Sequence, residues 1–164
     1  MGILDNKRHF LQEYLTYVES TGLEGKDGGI HRFLTSLGIR CTGDYFKEDH
    51  STIDWNRVEP HFQFGFDYTE IDETELSSWL RQSEMGSSEF LFTWLDWHDP
   101  IIKIRSVNFI SHWKEFYCAS VDGLILTTPD GRSFLEFTDD WKYHINSNFQ
   151  IKPGRATIED FSSF

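Results

Sequence analysis

The segment Asp122–Thr138, DGLILTTPDGRSFLEFT, constrains the fold more than any other part of the chain. Two short apolar runs, Leu124–Thr128 and Ser133–Thr138, flank the sequence Pro129-Asp130-Gly131. Proline fixes φ at the first central position of a turn, and glycine can adopt the positive φ that closes the loop. Apolar runs separated by such a turn predict an antiparallel β-hairpin. Alternation along its second strand places Phe134, Glu136 and Thr138 on one face and Leu135 and Phe137 on the other.

Alternating and helical periods elsewhere predict the elements that surround this hairpin. Helices are predicted at Asp5–Ser20, Ile30–Leu37, from Asp72 to a stop at Gly86, and at Val107–Ser120, with a loop at Thr21–Gly29 between the first two. Strands are predicted at His61–Tyr68, Ser88–Trp97 and Ile101–Ser106, and a short extended piece follows Asp139–His144. A helical turn is predicted through Trp55 and Val58, ended by Pro60. Together these elements predict an α+β fold: a mostly antiparallel sheet with a C-terminal β-hairpin, covered by N-terminal and central helices.

Length and composition predict one globular domain over residues 1–164, with a loosely held tail at 153–164. Aromatic residues make up 16% of the chain, which is too much large apolar surface for a disordered protein. No run approaches the eighteen or so apolar residues of a membrane span, and the start lacks the apolar region of a signal peptide. Two cysteines do not make a disulfide framework, so reduced thiols in a cytoplasmic protein are expected.

The negative charge of the chain is concentrated in its central third. Residues 44–99 hold three basic and fourteen acidic side chains, a net charge of −11 out of −12 for the whole chain. Such a block attracts a cationic partner and repels anionic membranes. Direct binding to DNA or RNA is disfavoured, because affinity for phosphate comes mostly from Lys and Arg.

Motifs for catalysis or metal binding are weak. The seven histidines form no HExxH motif and no His/Cys pair at zinc-ligand spacing. The best assembly for a metal-dependent or hydrolytic enzyme is His112, Asp139 and His144, which would converge if the helix before the hairpin packed beside its exit. Cys118 with His112 is the only pairing suited to nucleophilic catalysis, and the aromatic neighbours of Cys118 favour a buried structural thiol instead. We therefore expect no catalytic residue, no bound metal and no cofactor.

Acidic and aromatic residues coincide in the central third, and this combination suits the capture of a basic protein. Interface energy concentrates in large aromatic side chains, while complementary charge steers the encounter. The predicted patch runs from Asp44 to Glu75, with Trp55 and Tyr68 as anchors. Its members are Asp44, Glu48, Asp49, Asp54, Trp55, Asp67, Tyr68, Glu70, Asp72, Glu73 and Glu75.

A small, acidic, aromatic-rich α+β chain without catalytic motifs resembles the immunity proteins of bacterial toxin systems, including the partners of contact-dependent-inhibition and other polymorphic toxins. The segment His112–Phe149, HWKEFYCASVDGLILTTPDGRSFLEFTDDWKYHINSNF, is similar to the C-terminal hairpins that such proteins often carry. The resemblance implies a tight complex with a cognate toxin domain, often a basic nuclease, whose active site is blocked. Two alternatives remain: the small enzyme using His112, Asp139 and His144, and an acidic DNA mimic that inhibits a nucleic-acid-binding protein.

Overall fold

A computed structural model describes residues 19–24, 29–42, 51–65, 73–94, 100–120, 124–139 and 143–152. The strands in this part of the chain are β1 (Glu19–Glu24), β2 (Phe62–Gly65), β3 (Phe90–Trp94), β4 (Pro100–Arg105), β5 (Leu124–Thr127), β6 (Phe134–Asp139) and β7 (Tyr143–Ser147). The helices are α1 (Gly29–Ser36), α2 (Glu73–Gln82), α3 (Glu84–Ser87), α4 (Ser106–Ser111) and α5 (Trp113–Ala119), and Trp55–Arg57 forms one 3₁₀ turn. None of the described helices is long and apolar enough to cross a membrane.

The strands form one seven-stranded sheet in the order β1-β4-β3-β5-β6-β7-β2. Every neighbouring pair is antiparallel. Strand β3 lies inside the sheet between β4 and β5, as its two apolar faces predicted. Strand β2 closes one edge, and its residues alternate between half-buried and exposed, which matches a strand packed on one side. The predicted α+β class with a mostly antiparallel sheet is therefore confirmed.

The predicted hairpin is confirmed down to its turn. Strands β5 and β6 pair with Ile125 opposite Glu136, and the Gly131 N–H donates to the Thr128 carbonyl at 3.0 Å. Gly131 adopts a φ of 74°, the positive value that the turn requires. The Asp130 carboxylate accepts hydrogen bonds from the Arg132 N–H and the Thr128 hydroxyl, which hold the pKa of Asp130 below its ordinary value.

Alternation along the strands builds a separate core on each face of the sheet. On the first face, Leu126, Leu135 and Phe137 pack against the apolar stripes of α2, α4 and α5. Rings of Trp113 and Tyr117 lie against Phe137, with centroids 6.0 and 5.2 Å away. The central helices therefore cover this face, as predicted.

The second face is covered by α1 and by the irregular segment 51–60. Phe33 of α1 meets Phe92 of β3 edge to face at 5.2 Å, and Trp55 packs on Phe134 of β6 at 5.6 Å. Helix α1 ends in a Schellman-type cap, in which Gly38 at a φ of 80° follows the last turn and the Ile39 N–H donates to the Leu34 carbonyl.

Three predicted element boundaries are corrected. The sequence predicts that a helix ends and a loop begins within Glu19–Glu24, but this segment is strand β1, because pairing with β4 satisfies its backbone. The register of this pairing shifts between Ser20 and Glu24, around Gly22. Gly86 does not stop α2: the chain breaks at Ser83, whose hydroxyl caps α3, and Gly86 lies inside α3 against the Arg81 carbonyl. The helical prediction for Val107–Ser120 holds, with a break at His112. Residues 1–18, which carry most of the predicted helix Asp5–Ser20, and residues 153–164, the predicted loose tail, lie outside the described part.

The two glycines with positive φ form a matched pair for testing how the hairpin turn packs. A Cβ at Gly131 would lie 2.8 Å from both Cβ and O of Leu37, whereas a Cβ at Gly38 would meet nothing within 4 Å. Gly38→Ala should therefore lower the free energy of unfolding by about 1–2 kcal/mol through backbone strain alone. Gly131→Ala should cost a further 1–3 kcal/mol or so, because the crowded Leu37 must move. Urea unfolding of both variants measures the difference, and equal costs would contradict the packing of the turn on Leu37.

Candidate functional site

The described members of the predicted acidic patch lie on opposite sides of the sheet. Asp54 belongs to the segment 51–60 on the second face, where it forms an ion pair with Arg57 at 3.4 Å. Glu75 is exposed on α2, whose Leu76 and Leu80 pack on the first face. Glu73 begins α2. The structure therefore divides this set between two surfaces. The other predicted members lie outside the described residues: Asp44, Glu48, Asp49, Asp67, Tyr68, Glu70 and Asp72.

Trp55 is an interior residue rather than an exposed anchor. Only 7% of its surface is accessible, and its ring stacks on His61 with centroids 5.1 Å apart. Its Nε1–H donates to Glu136 Oε1 at 2.9 Å. A partner at the surface would reach little of this ring, so Trp55 does not serve as the predicted anchor.

The residues of the enzyme alternative do not converge. His112 lies at the break between α4 and α5, in the helical layer on the first face. His144 alternates with Ile145, which belongs to the first core, so His144 points to the second face; Asp139 ends β6 opposite Tyr143. The sheet thus separates the two histidines. Among the described residues, no group of three or more His, Cys, Asp or Glu could hold a metal ion.

The two cysteines are free thiols in contrasting positions. Cys118 is exposed, contrary to the predicted buried thiol. Phe116 and Tyr117 turn their rings into the core, and a residue two positions after Phe116 lies about 200° around the helix axis. Aromatic neighbours in sequence therefore did not imply aromatic neighbours in space.

The best-defined polar centre in the described chain is the carboxylate of Glu136. This side chain lies in the middle of the sheet and is only 2% exposed. Its Oε2 accepts from the Thr52 N–H at 2.8 Å, and its Oε1 accepts from the Ile53 N–H at 3.3 Å and from Trp55 Nε1. These three partners are N–H donors, and an ionised carboxylate offers only acceptors to them. The carboxylate therefore ties the segment 51–57 to strand β6.

A row of polar side chains extends this centre across the sheet. Asn146 of β7 lies opposite Glu136, and Gln63 of β2 lies opposite Asn146. Asn146 Oδ1 accepts from Gln63 Nε2 at 3.3 Å and lies 2.8 Å from His61 Nε2. Trp55 and His61 stack on each other and each contacts this row. The row of polar side chains therefore orients the segment that covers it.

Strand alternation in the sequence puts Glu136 on the same face as Phe134, and no local motif predicts a role for it. The available signal was a carboxylate at an apolar position of the hairpin, since a charge in a paired central strand needs compensating donors. Its partners are more than 80 positions earlier in the chain, and no local pattern identifies them.

An open cleft of about 530 Å³ lies beside this centre, between the end of α1 and the paired segments 39–42 and 53–57. The Asp54 N–H donates to the Arg40 carbonyl at 2.9 Å, and the backbones of Cys41 and Ile53 form an isolated antiparallel β-bridge. Backbone pairing therefore holds the two walls together. We call it the arginine cleft, from Arg40 and Arg57. Its polar lining residues are Thr35, Arg40, Cys41, Asp54 and Arg57.

Cys41 in this cleft is a poor nucleophile. Burial, followed by the negative charge of Glu136, raises the pKa of the thiol to about 12. The thiolate is the reactive form of cysteine, so at neutral pH this side chain is a neutral thiol. The cleft therefore provides binding groups rather than a covalent catalyst.

No protein-family model, no curated protein and no solved structure matches this chain. The resemblance to immunity proteins therefore remains a hypothesis carried by composition and charge.

The tie between Glu136 and Trp55 can be measured with a double-mutant cycle. Glu136→Gln should lower the free energy of unfolding by about 2–4 kcal/mol, because it replaces a charged acceptor with an amide that cannot satisfy all three donors. Trp55→Phe removes one donor, so the double variant should lose at least about 0.5–1 kcal/mol less than the sum of the single changes. Glu75→Gln on exposed α2 is the control, with an effect within about 0.5 kcal/mol. Strict additivity would contradict the hydrogen bond.

The raised pKa of Cys41 predicts a loss of stability in alkali. Below pH 9.0, the ordinary thiol pKa, the proton is bound in both states; above it the unfolded chain releases the proton first, because the folded pKa is about 12. The unfolding free energy should therefore fall as pH rises from 9.0 towards 12. Cys41→Ala should show a shallower fall with pH in urea unfolding than the wild type. An unchanged slope in Cys41→Ala would contradict the assignment.

Proposed function

We propose that this chain is an inhibitor of the immunity type, which binds and neutralises a cognate basic toxin domain in the cytoplasm. The proposal begins from the net charge of −11 in residues 44–99. A charge block of this size steers an oppositely charged protein to its surface and accelerates association. The division of the predicted patch by the sheet requires choosing one side.

The observation that carries the proposal is a set of exposed, unneutralised carboxylates in and next to the helical layer on the first face. Glu75 lies in the first turn of α2, Glu84 in the first turn of α3, and Glu89 just before β3, and all three are exposed. Among the described residues, none of them forms an ion pair with Lys or Arg. We call this set the acidic helical surface. Its charge is available to a cationic partner, which internal ion pairs would have prevented.

The second face is less suited to a basic partner. Two of its described carboxylates are occupied, because Glu136 is buried beneath three donors and Asp54 is paired with Arg57, which leaves Glu59 as an exposed carboxylate there. Arg40 and Arg57 are exposed there and would repel a cationic protein at close range. The toxin is therefore assigned to the side of α2 and α3.

The experiment isolates a basic partner from the native host and measures its association with charge variants. Glu75→Lys combined with Glu89→Lys should lower the association rate constant about tenfold or more at low salt, and the effect should shrink at high salt as the charges are screened. Glu84 is left intact because it accepts a hydrogen bond from Ser133 of the hairpin turn.

Glu59→Lys is the matched control, since Glu59 is an exposed carboxylate in the segment on the second face. The association rate of Glu59→Lys should fall much less than that of the double variant. Co-expression with the partner should also restore growth to cells that the partner alone kills. Equal losses in both variants would contradict the acidic helical surface. A partner that is harmless to cells would contradict the immunity function itself.

A further inference from the structure

We propose that the arginine cleft binds a small oxyanion, such as the phosphate or carboxylate group of a metabolite-sized molecule. This site is independent of the proposed toxin surface, because it lies on the other face of the sheet. Its volume of about 530 Å³ falls within the range of small-molecule pockets, which is roughly 300–1,000 Å³.

The cleft is cationic although the chain as a whole is strongly anionic. Two guanidinium groups, of Arg40 and Arg57, line it together with one carboxylate, of Asp54. The Asp54 carboxylate contacts Arg57 through Nε, one of the five N–H donors that a guanidinium carries. Among the described residues, no carboxylate forms an ion pair with Arg40. Among the lining side chains, positive charges therefore exceed negative ones by one, and the two guanidinium groups keep unused donors, while the Glu136 carboxylate acts on the cleft through Cys41.

The remaining lining suits an anion better than a cation or a nucleophile-dependent reaction. Cys41 remains a neutral thiol, because its pKa lies far above neutral pH. Thr35 supplies a hydroxyl group, and the space beside Gly38 is open, since a Cβ there would meet nothing within 4 Å. Guanidinium groups bind the planar or trigonal faces of carboxylate and phosphate through paired N–H donors.

The walls are held in place before any ligand arrives. The Thr42 N–H donates to the Thr52 carbonyl at 2.8 Å, next to the backbone hydrogen bond from the Asp54 N–H to the Arg40 carbonyl. The Glu136 carboxylate accepts from the N–H groups of Thr52 and Ile53 and so holds this wall from beneath. A preformed frame reduces the entropy lost on binding, which allows a few charged contacts to produce measurable affinity. The buried charge of Glu136 is already engaged by three N–H donors, so it competes little for the two guanidinium groups.

The test is a titration of the ¹⁵N-labelled full chain followed by amide NMR. Sodium pyrophosphate and sodium succinate are the two probes, at constant ionic strength against sodium chloride, and the two arms distinguish a phosphate from a carboxylate ligand. Saturable shifts centred on the amides of Ile39, Cys41 and Asp54 are expected with at least one probe and not with chloride. The absence of saturation with both probes would overturn the proposal.

Variants localise the binding. Arg40→Gln combined with Arg57→Gln should weaken it at least tenfold or so, since charged hydrogen bonds are lost. Arg81→Gln combined with Lys152→Gln, which changes two exposed basic residues beside the first core, is the matched control and should leave the midpoint unchanged.

Asp54→Asn tests the proposal in the opposite direction. Removing the carboxylate that competes for Arg57 should tighten binding several-fold, and this variant remains informative even if the double arginine variant fails to fold. The Asp54 side chain makes no capping hydrogen bond to the 3₁₀ turn, so the turn is expected to survive. Weaker binding by a folded Asp54→Asn variant, or equal midpoints in the wild type and the double arginine variant, would overturn the assignment.

Discussion

One buried carboxylate organises the second face of the sheet. Glu136 is placed at the centre of a paired strand, where a charge is costly unless donors surround it. Those donors come from the backbone of Thr52 and Ile53 and from the ring of Trp55. The segment 51–57 has only one 3₁₀ turn of regular structure, so the carboxylate supplies the fixed point that its own backbone lacks. The same charge adds to the effect of burial in raising the pKa of Cys41, and it anchors one wall of the arginine cleft.

The sheet also separates two electrostatic environments. Helices α2 and α3 present exposed carboxylates on one side, whereas the cleft presents two arginines on the other. Charges separated by more than a Debye length, about 8 Å at physiological ionic strength, are largely screened in solvent. A negatively charged chain can therefore carry a local cationic site when this site and the exposed carboxylates face solvent on opposite sides of the sheet. The proposed protein partner and the proposed small ligand would then occupy different faces.

Local signals in the sequence were reliable where the structure depends on near neighbours. The turn at Pro129-Asp130-Gly131 and the alternation of β3 were predicted correctly, because turn geometry and strand period are properties of a few adjacent residues. The same reasoning failed at β1, whose backbone partner is β4 about 80 positions later, and at Cys118, whose exposure depends on which side of α5 meets the core. Proximity in sequence also grouped Asp54 with Glu75, although the chain passes through the edge strand β2 between them.

By itself the sequence determined the α+β class, the hairpin, most helices and strands, and the concentration of negative charge in the central third. Each of these follows from composition or from a period of two to four residues. Only the tertiary structure decided that Trp55 is interior, that His112 and His144 lie on opposite sides of the sheet, and that Arg40 and Arg57 share a cleft. The reason is that faces of a sheet are assigned by long-range strand pairing. A side chain's surroundings are then set by residues far from it in the chain.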